Sequence, residues 1–149
     1  MPYNQLVKQG RIKVYRASPA EIQQLLRISV RDLSAAVKNL DISPDWAYTM
    51  AYNAVLQTCR ALMLVDGYRP RGGEQHATIV AFVEERLGSS FNSQVHLFDQ
   101  MRRKRHRVIY DISGLIGNAE VEQAIAFAQG FLEELQPIIT GQVGFDLKP

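Results

Sequence analysis

The sequence has almost nothing from which to build a covalent or metal-centred site. Its one cysteine, Cys59, leaves no intrachain disulfide and no cysteine metal site. Histidines number three (His76, His96 and His106), and none follows His106. There is no Gly-rich phosphate loop, no pair of metal ligands at ligand spacing and no nucleophile elbow, so neither metal nor cofactor is expected. A net charge of +2 is too small to imply nucleic-acid binding from bulk charge, and any such argument must rest on a local cluster. Long apolar runs are missing too. The least charged stretch, Trp46 to Cys59, is shorter than the ~20 residues of a membrane span. The N-terminus lacks a signal-peptide core, so a cytoplasmic protein without membrane contact is expected. No internal repeat, low-complexity tract or interdomain linker divides the 149 residues, which suit one domain.

What is present is helical periodicity with clear punctuation. Residues 1–17 read as an N-terminal arm. Within it, Arg11-Ile-Lys-Val-Tyr15 alternates but finds no obvious strand partner, so it is expected to pack on the helices. Ser18-Pro-Ala-Glu21 combines a cap, a proline at the first helical position and a capping box. Ile22, Leu26, Val30, Leu33, Val37 and Leu40 then mark the buried stripe of a helix over 18–40. Ser43-Pro44 starts a second helix, whose wide face of small residues (Ala51, Ala54, Ala61) allows close packing, and Gly67 ends it. Trp46, in its first turn, reads as packing. Tyr48 and Tyr52, one turn apart, belong in the core with their hydroxyls reaching polar partners. Tyr68 to Glu74 reads as a loop by its proline and paired glycines. A third helix carries Ile79, Phe82, Val83 and Leu87. A fourth spans about 90–112. A fifth, capped by Asn118, carries Val121, Ile125, Ala128, Leu132 and Leu135, with Pro137 expected to end or kink it. Residues 18–140 are therefore predicted to form an all-α, up-and-down bundle of about five helices, followed by a frayed tail at 141–149.

The fourth helix carries the functional signal. Arg102-Arg-Lys-Arg-His-Arg107 places five basic residues and a histidine in six positions. Phe98, Met101, Val108 and Ile112 form its apolar stripe, and the helical period puts Arg105 in the gap of that stripe. A guanidinium there must be paired, interfacial or lining a polar cleft. Arg102, Arg103, Lys104 and Arg107 read either as a solvated face or as a phosphate-binding surface. Glu120, Glu122, Glu133 and Glu134 of the last helix are available to neutralise them. His76, beside Gly72-Gly73, reads as a capping or surface residue or as one that lines a site, and His96 as exposed.

The order of these features resembles a HEPN domain (higher eukaryotes and prokaryotes nucleotide-binding). The resemblance rests on Ala61-Leu-Met-Leu-Val-Asp-Gly-Tyr68, on Gly72-Gly-Glu-Gln-His76 opening the next helix, and on the basic fourth helix with Tyr110-Asp111 after it. It implies a helical bundle that forms a homodimer and binds RNA or nucleotides. It further implies a metal-independent endoribonuclease, or a relative with weak or lost catalysis, of the toxin class that pairs with a nucleotidyltransferase antitoxin. A non-catalytic dimerisation or scaffold module is the alternative. Carried over, the family's catalytic Arg falls on Arg105, its polar neighbour on His106, and its His on Tyr110. That last position is a departure. Tyrosine titrates near 10 and is a poor base at neutral pH, whereas histidine titrates near 6.5. Arg105 diverges from His106 by about 100° around the helix and from Tyr110 by about 140°. Neither pair shares a face, so a site needs a distorted helix or residues from a second subunit. For Arg105 two readings stay open: a phosphate ligand, or half of a buried ion pair with a carboxylate of another helix.

Overall fold

The computed structural model describes residues 3–110, 114 and 116–143, apart from the side chains of Tyr110 and Val143. Its elements are α1 (Asn4–Lys8), β1 (Ile12–Val14), α2 (Pro19–Asn39), α3 (Pro44–Val65), β2 (Tyr68–Pro70), α4 (Gln75–Leu87), a 3-10 turn (Ser89–Phe91), α5 (Asn92–Tyr110) and α6 (Asn118–Val143). The fold is all-α, and the five expected helices are α2 to α6. Among the described residues, no helix is long and apolar enough to cross a membrane.

The starts of α2 and α3 follow their capping signals. Glu21 N–H donates to Ser18 Oγ at 3.2 Å while Ser18 N–H donates to Glu21 Oε1 at 3.4 Å. Ser43 Oγ accepts from Trp46 N–H at 3.4 Å. Because Ala51, Ala54, Val55, Thr58, Ala61 and Leu62 are all buried, α3 is the central helix and packs against α2, α4, α5 and α6. Trp46 points outward and is 58% exposed, contrary to its expected packing role.

The face that α2 buries differs from its apolar stripe. Ile22, Leu26, Ser29, Asp32 and Ala36 are buried, whereas Val30 and Val37 are exposed. Polar pairing with α3 decides this rotation. Thr58 Oγ1 donates to Ser29 Oγ at 2.9 Å, and Asn53 Nδ2 donates to Asp32 Oδ2 at 2.5 Å. Arg31 holds the other Asp32 oxygen at 3.0 Å. Buried polar groups that are satisfied in this way no longer resist burial.

The N-terminal segment does have a strand partner. β1 pairs antiparallel with β2, Ile12 opposite Pro70 and Val14 opposite Tyr68. A two-stranded ribbon has only edges, so Pro70 needs no ladder donor there. Tyr3, Leu6 and Ile12 join the core. Tyr3 stacks on Phe82 at 4.3 Å between ring centroids, and its hydroxyl donates to Asp66 Oδ2 at 2.6 Å, which also accepts from Arg86 Nε at 2.8 Å.

Pro137 lies inside α6 and does not end it. The carbonyl it leaves without an N–H partner belongs to Glu133. Both residues are exposed, so water can satisfy that group, while Leu135 and Ile139 on either side are fully buried. Of the expected frayed tail, 141–143 are helical and 144–149 lie outside the described residues.

Two outcomes follow from this packing. Asp32→Ala strands the Asn53 amide and is expected to lower unfolding free energy by about 1–3 kcal/mol. Val30→Ala, on the stripe that looks more important in sequence, should stay within about 0.5 kcal/mol. Urea unfolding of both variants measures this, and equal losses would show that the polar seam does not set the helix face. Cys59 is fully buried, and burial pushes its thiol well above the ordinary value. It should therefore react with a thiol reagent only as fast as the protein opens, and rapid labelling of the native state would contradict the packing described.

Candidate functional site

The basic face of α5 is built on one carboxylate. Arg102 Nε donates to Asp99 Oδ1 at 2.9 Å and Arg103 Nε to Asp99 Oδ2 at 3.1 Å, which are i,i+3 and i,i+4 pairs on the helix surface. Burial alone would push Asp99 up. The hydrogen bond and charge of Arg102, with those of Arg103, outweigh it and hold the carboxyl below its ordinary value.

The cluster then divides around the helix. Lys104 leaves the others and turns to α6, where Nζ meets Glu120 Oε1 at 2.7 Å. It lines a groove of about 550 Å³ between α5 and α6 whose floor is Tyr48, Met101 and Phe127. Arg102, Arg105 and His106 line a separate cleft of about 710 Å³ against the start of α4, and Arg103 and Arg107 border both. On its α4 side the second cleft presents Glu74, Gln75, His76 and Ala77. Four arginines thus face it against one carboxylate, Glu74. The first turn of α4 has no side-chain cap, so the positive end of that helix also opens here.

Arg105 sits at the inner wall. Following the turn after Phe98 and Met101, both buried, it extends over the Tyr52 ring, with Cζ 5.8 Å from the ring centroid. Its Nε is buried and has no hydrogen-bond partner, and no carboxylate pairs with it among the described residues. Of the two readings of Arg105, the ion pair finds no carboxylate among the described residues. Arg105 is a half-buried cation held by an aromatic face, with unspent hydrogen-bonding capacity.

Two residues read separately in the sequence, Tyr52 as a core residue whose hydroxyl seeks a polar partner and His76 as a capping, surface or site residue, come together beside Arg105. Tyr52 is 1% exposed and stacks obliquely against Phe98 at 5.8 Å. Its hydroxyl lies 3.0 Å from Nδ1 of His76. Burial raises the Tyr52 pKa, against the lowering charges of Arg105 and Arg102, so the phenol keeps its proton. Burial also lowers the His76 pKa, helped by Arg105, Arg60 and Arg102, so the imidazole is neutral at pH 7. With the imidazole neutral and no other acceptor for the buried hydroxyl among the described residues, the tautomer that satisfies both groups has Nδ1 accepting there. The remaining ring proton is then on Nε2. The available signal in sequence was only that His76 opens a helix after Gly-Gly. Its meeting with a tyrosine 24 positions earlier is a tertiary event.

The placement of the sequence-predicted site residues is therefore uneven. Arg102, Arg103, Arg105, His106 and Arg107 share the α4–α5 cleft, and Lys104 faces away from it. Tyr110 ends α5, and its side chain lies outside the described residues. No distortion of α5 is needed to bring a histidine to Arg105, because the histidine comes from α4.

Comparison with known proteins gives a family but no near relative. Neither a search of curated proteins nor one of solved structures found a match. The family model for the HEPN domain matches residues 22–138, from the first turn of α2 to the last turns of α6, and the chain belongs to that family.

Proposed function

We propose that this HEPN-domain protein binds RNA through its phosphodiester backbone in the α4–α5 cleft, with Arg105 as the anchoring cation. The observation that carries this reading is the Arg105 guanidinium, half-buried and without a carboxylate partner among the described residues. A cation that is poorly solvated and unpaired attracts a phosphate more strongly than one on an open face, because less water competes. Arg102, Arg103 and Arg107 add phosphate contacts along the rim, and none of these groups requires a metal. The protein works as a homodimer with α5 near the two-fold axis. In support, α5 carries two exposed apolar residues, Leu97 and Ile109, among its charges. Cleavage is weak in this reading. The position of the family's histidine is Tyr110, and tyrosine as a residue type is a poor general base near pH 7.

Three measurements test these statements. Arg105→Ala should weaken binding of a short oligoribonucleotide at least tenfold and Arg103→Ala less than threefold. With no carboxylate to strand among the described residues, Arg105→Ala should change stability by less than about 1 kcal/mol. A loss of 3–5 kcal/mol, the size expected for a broken buried pair, would make Arg105 structural. In a salt series, Arg107→Ala should reduce the slope of log K against log salt by about 0.7, while Lys104→Ala leaves it unchanged. An equal effect of both would mean that RNA follows the whole basic face. Light scattering at micromolar concentration should give a dimer, and a monomer would remove the shared interface.

A further inference from the structure

His76 and Tyr52 are absorbed by neither the family's motif nor the contacts proposed for RNA. His76 lines the cleft with Nδ1 turned inward to Tyr52. Its Nε2 has no partner among the described residues, and the partly exposed ring lines the cleft, so this nitrogen is free to meet a ligand there. The charged groups around it are few and mostly cationic. From α3 come Arg60 and the neutral Tyr52, and from α5 Arg102 and Arg105, with His106 on the same wall of the cleft. Only Glu74, at the start of its own helix, carries the opposite sign in that lining.

We propose that His76 is a proton-linked phosphate ligand of this cleft, donating from Nε2 as a neutral ring in the free protein and taking up a second proton when a phosphate group binds. The inference rests on the reading that this cleft holds phosphate. In the free protein, the neighbouring arginines and partial burial disfavour a further positive charge on the ring. A bound phosphate reverses the balance, since an anion within hydrogen-bond reach favours the imidazolium. The proton comes from solvent and goes to Nδ1. Tyr52 must then rotate to accept from Nδ1–H, and its own O–H gives up its acceptor, so the attraction between the imidazolium and the bound anion has to outweigh that loss. By linkage, whatever raises the His76 pKa on binding must tighten binding as pH falls. The gain begins as pH falls through the bound-state pKa and is complete below the free-state pKa. A rise of one pKa unit corresponds to a tenfold gain in affinity.

The test is a histidine-ring NMR titration of the whole protein, with and without a saturating short oligoribonucleotide, and separately with inorganic phosphate. It is paired with binding measured at pH 8 and pH 5.5. The expected result is a His76 pKa below 6.5 in the free protein that rises by about one unit or more with ligand, and binding at least fivefold tighter at pH 5.5. H76Q is the informative variant. Glutamine can accept from Tyr52 through Oε1 and donate through Nε2, as neutral histidine does, but cannot take a second proton. Referred to its own binding at pH 8, whatever that is, it should lose most of the gain at pH 5.5, whereas H106Q keeps it. A His76 titration that ligand leaves unmoved, or an H76Q protein with the parent's full pH dependence, overturns the proposal while RNA binding itself stands. Inorganic phosphate that raises the His76 pKa without any oligoribonucleotide binding refutes the RNA reading and leaves the proton-linked anion ligand. Neither probe binding overturns both.

Discussion

Tyr52 is the point at which the core of this protein becomes its cleft. One side of its ring belongs to the packing of α3 against α5 through Phe98, and the guanidinium of Arg105 lies over the ring. Its hydroxyl reaches the first turn of α4 at His76. Three helices are therefore registered on a single side chain whose position is fixed by almost complete burial. The consequence is rigidity where the chemistry needs it. Arg105 and His76 come from different elements, yet both are placed by contact with the same ring and not by long flexible reach. A loop-borne cation would have to lose more conformational freedom to hold a ligand as well.

The basic run of α5 shows why charge in sequence is a poor measure of charge at a site. Arg102 to Arg107 looks like one patch, but an α-helix distributes six consecutive residues around more than its whole circumference. Lys104 falls on the α6 side and is matched by Glu120. Arg102 and Arg103 share Asp99, so each is partly neutralised before any ligand arrives. Arg105 has neither kind of partner among the described residues. Its place over an aromatic face permits this, since the ring offers a cation some attraction without satisfying its N–H groups. What distinguishes Arg105 is the failure of the fold to neutralise it, and its position in the gap of an apolar stripe was the trace of this in the sequence.

Much of the fold was legible because its signals are local. The caps at Ser18 and Ser43, the small-residue face of α3 and the stripes of α4 and α6 depend on residues within a turn or two of each other. Features that depend on a second element were not. The buried face of α2 includes Ser29 and Asp32 because Thr58 and Asn53 wait for them on α3, and apolar periodicity is blind to a satisfied polar pair. β1 looked unpaired because Tyr68-Arg-Pro70 carries the composition of a loop, and a two-stranded ribbon tolerates that composition. Pro137 breaks the local rule at a point where its freed carbonyl faces solvent and the flanking side chains are buried. His76 is the functional counterpart. Its neighbours in sequence, two glycines and a glutamate, give no hint of the tyrosine and arginines that surround it.

The orientation of the Tyr52–His76 hydrogen bond bears on what the cleft can do. A general base must offer a lone pair to the substrate hydroxyl. With Nδ1 accepting from a buried phenol, His76 offers the cleft an N–H instead. To present a lone pair at Nε2 while still neutral, the ring would have to move its proton to Nδ1. The Tyr52 O–H would then lose its acceptor, leaving a buried donor unsatisfied at a cost of about 1–3 kcal/mol. The tautomer that the core favours is therefore the one suited to holding an anion. The cations around it act in the same direction, because they keep the ring neutral until an anion offsets them. Arg105, the rim arginines and His76 together form an array of donors, and Glu74 is the carboxylate in the cleft lining among the described residues. Such an array is what the proposed binding of phosphate rests on.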